Sequence, residues 1–214
     1  MTSSDFYRLL PDSEAVTRWF LASPLDAAGN KVDSRIFTDG NPVNIQLQSS
    51  PTAPATVRVY YYGHPFDVQP PLTLPLRRTG DEVDFNFGDH DMVVTPRTFN
   101  DELESLVGGA IQRIPVTVEG KEDKYEIVNV CGLLPCVDEA RTEYVEKWTA
   151  DDGRPDRTGT YRTIFGLKID PAIADGHHIF RIKDWPIVLI ASGEVKRLLE
   201  DWKITGVGFE RVDV

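Results

Sequence analysis

Ser192 stands in Ile190-Ala191-Ser192-Gly193-Glu194, directly after an apolar run and before a helical pattern, where a hydrolase nucleophile could sit. The GxSxG pattern whose small residues permit a strained elbow is missing, so the expected role is a helix cap. Asp89-His90-Asp91 gathers three possible metal ligands, but in a segment that reads as a solvated turn. His177 and His178 are adjacent, and on a strand adjacent side chains point to opposite faces, which prevents easy sharing of one ion. Cys131 and Cys136 form a CxxxxC pair without a second pair, and no HExxH occurs, so zinc is unsupported and two core thiols are expected. Neither a GxxxxGK[ST] phosphate loop nor a GxGxxG turn is present, and no cofactor is implied. Among 34 acidic residues, neighbours such as Glu102/Glu104 or Asp151/Asp152 carry almost no information about acid–base catalysis.

A different chemistry is offered by residues 143–157, where carboxylates surround a tryptophan. Glu143, Glu146, Trp148, Asp151, Asp152 and Asp156 are the candidate partner-binding residues. Trp is favoured at interface hot spots, and complementary charge speeds association. A net charge of −11 argues against a nucleic-acid partner and is compatible with a basic protein.

The elements that must position these residues follow from pattern. Asp12 or Ser13 can cap a short helix carrying Val16, Trp19 and Phe20 on one face. Leu21 to Pro54 is punctuated by Pro, Gly, Asn and Asp and reads as loop, and Val57 to Tyr62 reads as a strand. Pro65, Pro70, Pro71 and Pro75 return the chain to extended or turn conformations. Met92 to Val94 is a buried strand. Thr95-Pro96 opens a helix with Phe99, Leu103, Leu106 and Val107 at helical spacing, ended by Gly108-Gly109. Ile114 to Val118 and Tyr125 to Val130 are strands. Tyr144, Val145 and Trp148 are spaced for one helical face, followed by an exposed loop. Tyr161 to Ile169 and His178 to Lys183 are further strands. Ile187 to Ala191, the cap Ser192, a helix with Val195, Leu198, Leu199 and Trp202 on its core side, and a strand opening at Phe209 complete the chain.

Segments 91–118 and 187–212 thus share one order: strand, capped helix, glycine turn, strand. The expected class is α+β, a mixed β-sheet with a few packing helices, and two related strand-helix-strand units on one sheet are the simplest arrangement. Residues 1–88 form a Pro-rich N-terminal segment or subdomain, and 89–214 the α/β domain. No apolar run approaches the roughly 20 residues of a membrane span, and the first residues do not read as a secretory signal, so the cytoplasm is the expected location.

The second half resembles a known family. Tyr125-Glu126-Ile127-Val128-Asn129-Val130, Val137-Asp138, Ile169-Asp170 and His178-Ile179-Phe180-Arg181-Ile182 carry the resemblance. So do Leu199-Glu200, Thr205-Gly206-Val207, Phe209 and the upstream Gln112-Arg113-Ile114-Pro115-Val116. Together they are similar to the eleventh immunity-protein family of bacterial polymorphic toxin systems, over roughly residues 89–214. Two departures are mild: Thr95 stands where Ser is more usual, and the Ser expected after Val-Asp is replaced near Thr142. The resemblance implies a non-enzymatic protein that binds and neutralises a cognate toxin by stoichiometric contact. Its matched residues look structural, and none transfers as a toxin contact. The alternatives are an enzyme, hydrolase-like, with an unrecognised carboxylate site, and a regulatory or scaffold module that binds another protein.

Overall fold

Strand-forming residues dominate the chain. The computed structural model describes residues 5–32, 41–47, 55–61 and 72–214. In chain order the first strands are β1 (Phe6–Pro11), β2 (Phe20–Leu21), β3 (Asn41–Leu47), β4 (Ala55–Tyr61), β5 (Leu72–Leu74), β6 (Leu76–Arg78), β7 (Asn86–Phe87) and β8 (Val93–Pro96). Helix α1 (Arg97–Val107) follows, then β9 (Ile111–Val118), β10 (Lys121–Val130), β11 (Leu133–Leu134), β12 (Tyr144–Lys147) and β13 (Tyr161–Phe165). The short helix α2 (Pro171–Ala174) leads to β14 (Ile179–Ile182), β15 (Trp185–Ser192), helix α3 (Gly193–Asp201) and β16 (Val207–Val212).

Among the described residues two five-stranded sheets carry the fold, ordered β5-β9-β10-β8-β7 and β11-β14-β15-β1-β16. The α1 sheet holds β8-α1-β9 and the α3 sheet holds β15-α3-β16. The two units therefore lie on separate sheets, not on one as the pattern suggested. Their topology is nonetheless the same. Strand β10 is antiparallel to both β8 and β9, so those two run parallel with β10 between them. Strand β1 is antiparallel to both β15 and β16 and fills the equivalent gap. A strand antiparallel to the first member precedes each unit, β7 before β8 and β14 before β15. The N-terminal 88 residues thus supply β1 to one sheet and β5 and β7 to the other.

Among the described residues three apolar clusters fill the layers. One, with Trp19, Leu74, Val94, Val116 and Tyr125, covers the outer face of the α1 sheet. The middle one joins the sheets through both helices, with Phe99 and Leu103 of α1 beside Val195 and Leu199 of α3. The third covers the outer face of the α3 sheet with Phe6, Cys136, Ile169, Phe180 and Ile190. A buried guanidinium also ties the sheets. Arg181 on β14 donates to Pro186 O at 2.7 Å and to Asp91 O at 3.0 Å, and Asp91 adopts a positive φ of 57° just before β8.

Several local expectations are corrected. Residues 12–20 form no helix: Asp12 closes a turn by accepting from Glu14 N–H at 2.9 Å, and Trp19 N–H donates to Asp81 O at 2.9 Å. Trp19 is buried while Val16 is 76% exposed, because the apolar triad is split by a switch to extended backbone leading into β2. Within the stretch read as loop, 41–47 pairs with 55–61 as a hairpin. Asp39, Gly40, Pro51, Pro54, Tyr62, Pro65, Pro70 and Pro71 lie outside the described residues. Pro96, not Thr95, is the N-cap of α1, and the Thr95 hydroxyl instead donates to Asn100 Oδ1 at 2.5 Å in the interior. Ser192 caps α3 as expected, its Oγ accepting from Val195 N–H at 3.4 Å. Trp202 is 42% exposed and meets Phe99 edge-on at 6.1 Å, a lid on the core and not part of it.

Glu82 clasps the β9–β10 hairpin, meeting Lys121 at 2.7 Å, Lys124, and the Tyr125 hydroxyl at 2.6 Å. The two ammonium groups and then the hydroxyl hold its carboxyl at about 2. A depressed carboxyl contributes stability above its unfolded value of about 4.3, lost as pH falls toward 2. Acid unfolding followed by circular dichroism is expected to show a loss over that window that Glu82→Gln lacks. Phe99→Ala is expected to lower unfolding free energy by about 3–5 kcal/mol in urea titration, and Trp202→Ala by clearly less.

Candidate partner-binding surface

Residues 144–147 form a strand and not a helix, because their aromatic and β-branched side chains find a partner in β13. The register is Tyr144↔Phe165, Val145↔Ile164 and Glu146↔Thr163, with a shift before Lys147↔Tyr161. Period-2 alternation turns Ile164 inward and Tyr144 and Phe165 outward. Those two rings lie 6.0 Å apart and are 49% and 63% exposed. The base of the hairpin is fixed by Thr142, which is buried and whose Oγ1 accepts from Lys168 N–H at 3.1 Å. Asp138 secures the approach by accepting from Ala140 and Arg141 N–H, each at 3.1 Å.

The connecting loop is held by a reciprocal cap. Asp152 accepts from Thr149 N–H and from its hydroxyl, both at 2.8 Å, and Thr149 caps the short turn Ala150–Asp152. These bonds lower the Asp152 pKa, the backbone amide first. Arg162 bridges Asp152 at 3.2 Å and Glu146 at 3.4 Å, and its guanidinium lies 4.8 Å from the Trp148 ring centre, with that of Arg157 at 5.8 Å. Glu139 meets Lys147 and the Tyr161 hydroxyl at 2.7 Å each, which lowers its pKa, while burial and then Glu139 raise that of Tyr161.

The candidate residues therefore gather on one hairpin and its loop. Glu143 and Asp151 are exposed, Glu146 and Trp148 half-buried, and Asp152 is engaged as a cap. Asp156 lies in the turn Pro155–Arg157, and its side chain is outside the described set. The surface is less acidic than its aspartates suggest: residues 138–168 hold seven carboxylates and six Lys or Arg, leaving one net negative charge out of eleven. Sequence reasoning missed Phe165 and Arg162 as parts of this surface, and it placed Tyr144 on a helical face. The strand candidate at 161–169 held the signal, because pairing it with Tyr144 makes the aromatic cross-strand pair.

The reactive residue types settle into other roles. Ser192, His178 and Glu194 do meet: His178 Nδ1 lies 3.1 Å from Ser192 Oγ and 2.8 Å from Glu194 Oε2. A hydrolytic triad needs the imidazole to accept on one nitrogen while donating from the other, whereas both contacts here fall on Nδ1. Ser192 is also buried and occupied as the α3 cap. Burial pushes the Cys136 thiol up to about 12 and raises that of Cys131, the reverse of what a reactive thiolate needs. Among the described residues no three His, Cys, Asp or Glu side chains converge in metal-binding geometry, and no helix is long and apolar enough to cross a membrane.

The hairpin thus carries an exposed aromatic pair, Tyr144 and Phe165, and its loop a half-buried tryptophan flanked by two arginines. The chain belongs to the immunity protein family Imm11, whose model matches residues 69–214. That match takes in β5, β6 and β7, about twenty residues more than the resemblance read from the sequence. A comparison with curated proteins finds none that matches the chain.

Asp152→Ala is expected to open the loop, so that limited proteolysis nicks residues 149–160 several-fold faster. Asp151→Ala, which removes no cap, is expected to leave the cleavage rate unchanged.

Proposed function

We propose that the chain neutralises a cognate protein toxin by stoichiometric contact, meeting it in the cytoplasm through the β12–β13 hairpin and its loop. Family membership is the observation that carries the reading. The exposed rings of Tyr144 and Phe165 support the choice of surface, since exposed aromatic anchors dominate interface energetics. Glu143, Glu146, Trp148 and Asp151 belong to the same hairpin and loop, Asp156 to the turn Pro155–Arg157, and Asp152 acts by holding the loop in shape. The net charge of −11 favours a basic toxin, which it would steer during encounter.

The test is co-expression with the product of the neighbouring gene, read by survival and by pull-down. Rescue with a one-to-one complex is the expected result, and no complex with no rescue would overturn the reading. Asp151→Lys combined with Asp156→Lys is expected to slow association several-fold at low salt and little at high salt. An unchanged association rate at low salt would remove the loop from the interface.

A further inference from the structure

Antiparallel pairing engages alternate residues of a strand, so a strand bonded on one side turns its remaining residues to the other. Asp12 N–H donates to Gly206 O at 3.2 Å, which assigns the even-numbered residues of β16 to β1. The odd-numbered ones face outward along the sheet edge. At both ends these outward groups are already used: Phe85 N–H donates to Thr205 O at 2.8 Å, and Ile169 N–H to Asp213 O at 3.1 Å. Between them the outward N–H and C=O groups of Val207, Phe209 and Arg211 have no backbone partner among the described residues. Glu210 and Arg211 side chains are 61% and 69% exposed along this stretch. The span from Thr205 to Asp213 is about 26 Å at roughly 3.3 Å per residue, room for a strand of about five or six residues.

We propose that this slot accepts an extended basic segment of the toxin, which adds a sixth strand to the α3 sheet beside β16. The proposal rests on the immunity reading above and supplies a second contact, apart from the hairpin. Main-chain hydrogen bonds give such strand addition its affinity, and alternate side chains give it selectivity. Two copies of a chain carrying −11 repel each other, which disfavours a second copy in the slot and favours a strand of opposite charge. The register sets the side chains this strand must carry. On the face shared with Val207 and Phe209, apolar residues continue the core. On the other face a Lys or Arg would meet Glu210, whose present partner, Arg8, is 3.5 Å away and itself partly exposed.

Proline offers a selective test, since it removes an N–H and is tolerated at an edge where that N–H faces solvent. Arg211→Pro leaves the even-numbered pairing with β1 intact. The full chain in complex with the toxin from the neighbouring gene is followed by amide exchange and by calorimetric titration. The amides of Val207, Phe209 and Arg211 are expected to exchange at least ten-fold more slowly in the complex. Arg211→Pro is expected to weaken binding at least ten-fold with an unchanged melting temperature. A complex in which those amides exchange as in the free chain, with Arg211→Pro binding within two-fold of wild type, would overturn the slot and leave the immunity reading standing. Protection of the same amides in the chain alone, with a dimer mass by light scattering, would assign the slot to a second copy and also overturn it. No complex at all would remove both readings.

Discussion

Each of the two strand-helix-strand units leaves a gap one strand wide between its parallel strands, and the fold depends on how those gaps are filled. Neighbouring strands lie about 4.8 Å apart, so β8 and β9, or β15 and β16, stand roughly twice that distance from each other. An empty gap would bury unpaired backbone groups on both sides. In the α1 sheet the chain fills it locally, turning back from β9 into β10. In the α3 sheet the filling strand is β1, from the opposite end of the chain. The first strand is therefore the centre of a sheet completed by the last, and the two units are permuted relative to each other. With β1 in place both crossover helices share one apolar cluster, and β16 is left as an edge.

What could be read from the sequence follows from this arrangement. The units were legible because they are built locally: β-branched runs, Ser192 as a cap, Gly108 after α1 and helical spacing at Val195 and Leu199 lie within a few residues of one another. Strand β1 was not legible, since Phe6–Pro11 earns its place by pairing with residues some 180 positions away. The same physics misled at 12–20 and 144–148. Both carry aromatic residues at helical spacing, yet 12–17 is turn-like and leads into β2, which pairs with β6, and 144–147 pairs with β13. Trp202 shows the limit of periodicity on its own: it has the right helical phase, yet stands one turn beyond the cover that the sheets provide.

The candidate surface was legible as a region and not as a chemistry. Trp148 and the aspartates drew notice by composition, whereas the structure reassigns much of their charge to internal use. Asp152 holds its own loop, Arg162 spans two carboxylates beside Trp148, and Glu139 is shared by Lys147 and Tyr161. Charge already paired within a protein contributes little to new contacts unless the pairs rearrange. Tyr144 and Phe165 have no such obligation, and their exposed rings are the apolar surface that the hairpin presents between these oriented charges. The remaining acidity is spread over the rest of the chain, where it acts at long range.

Binding and catalysis make opposite demands on stoichiometry, which allows a direct test. The toxin from the neighbouring gene is assayed for activity while the purified chain is added in increments. Neutralisation by contact gives a linear fall that reaches zero at one equivalent, with full activity recovered when the complex is dissociated. Loss of activity at a small fraction of one equivalent, persisting after the chain is removed, would mean that it modifies the toxin and would contradict neutralisation by contact.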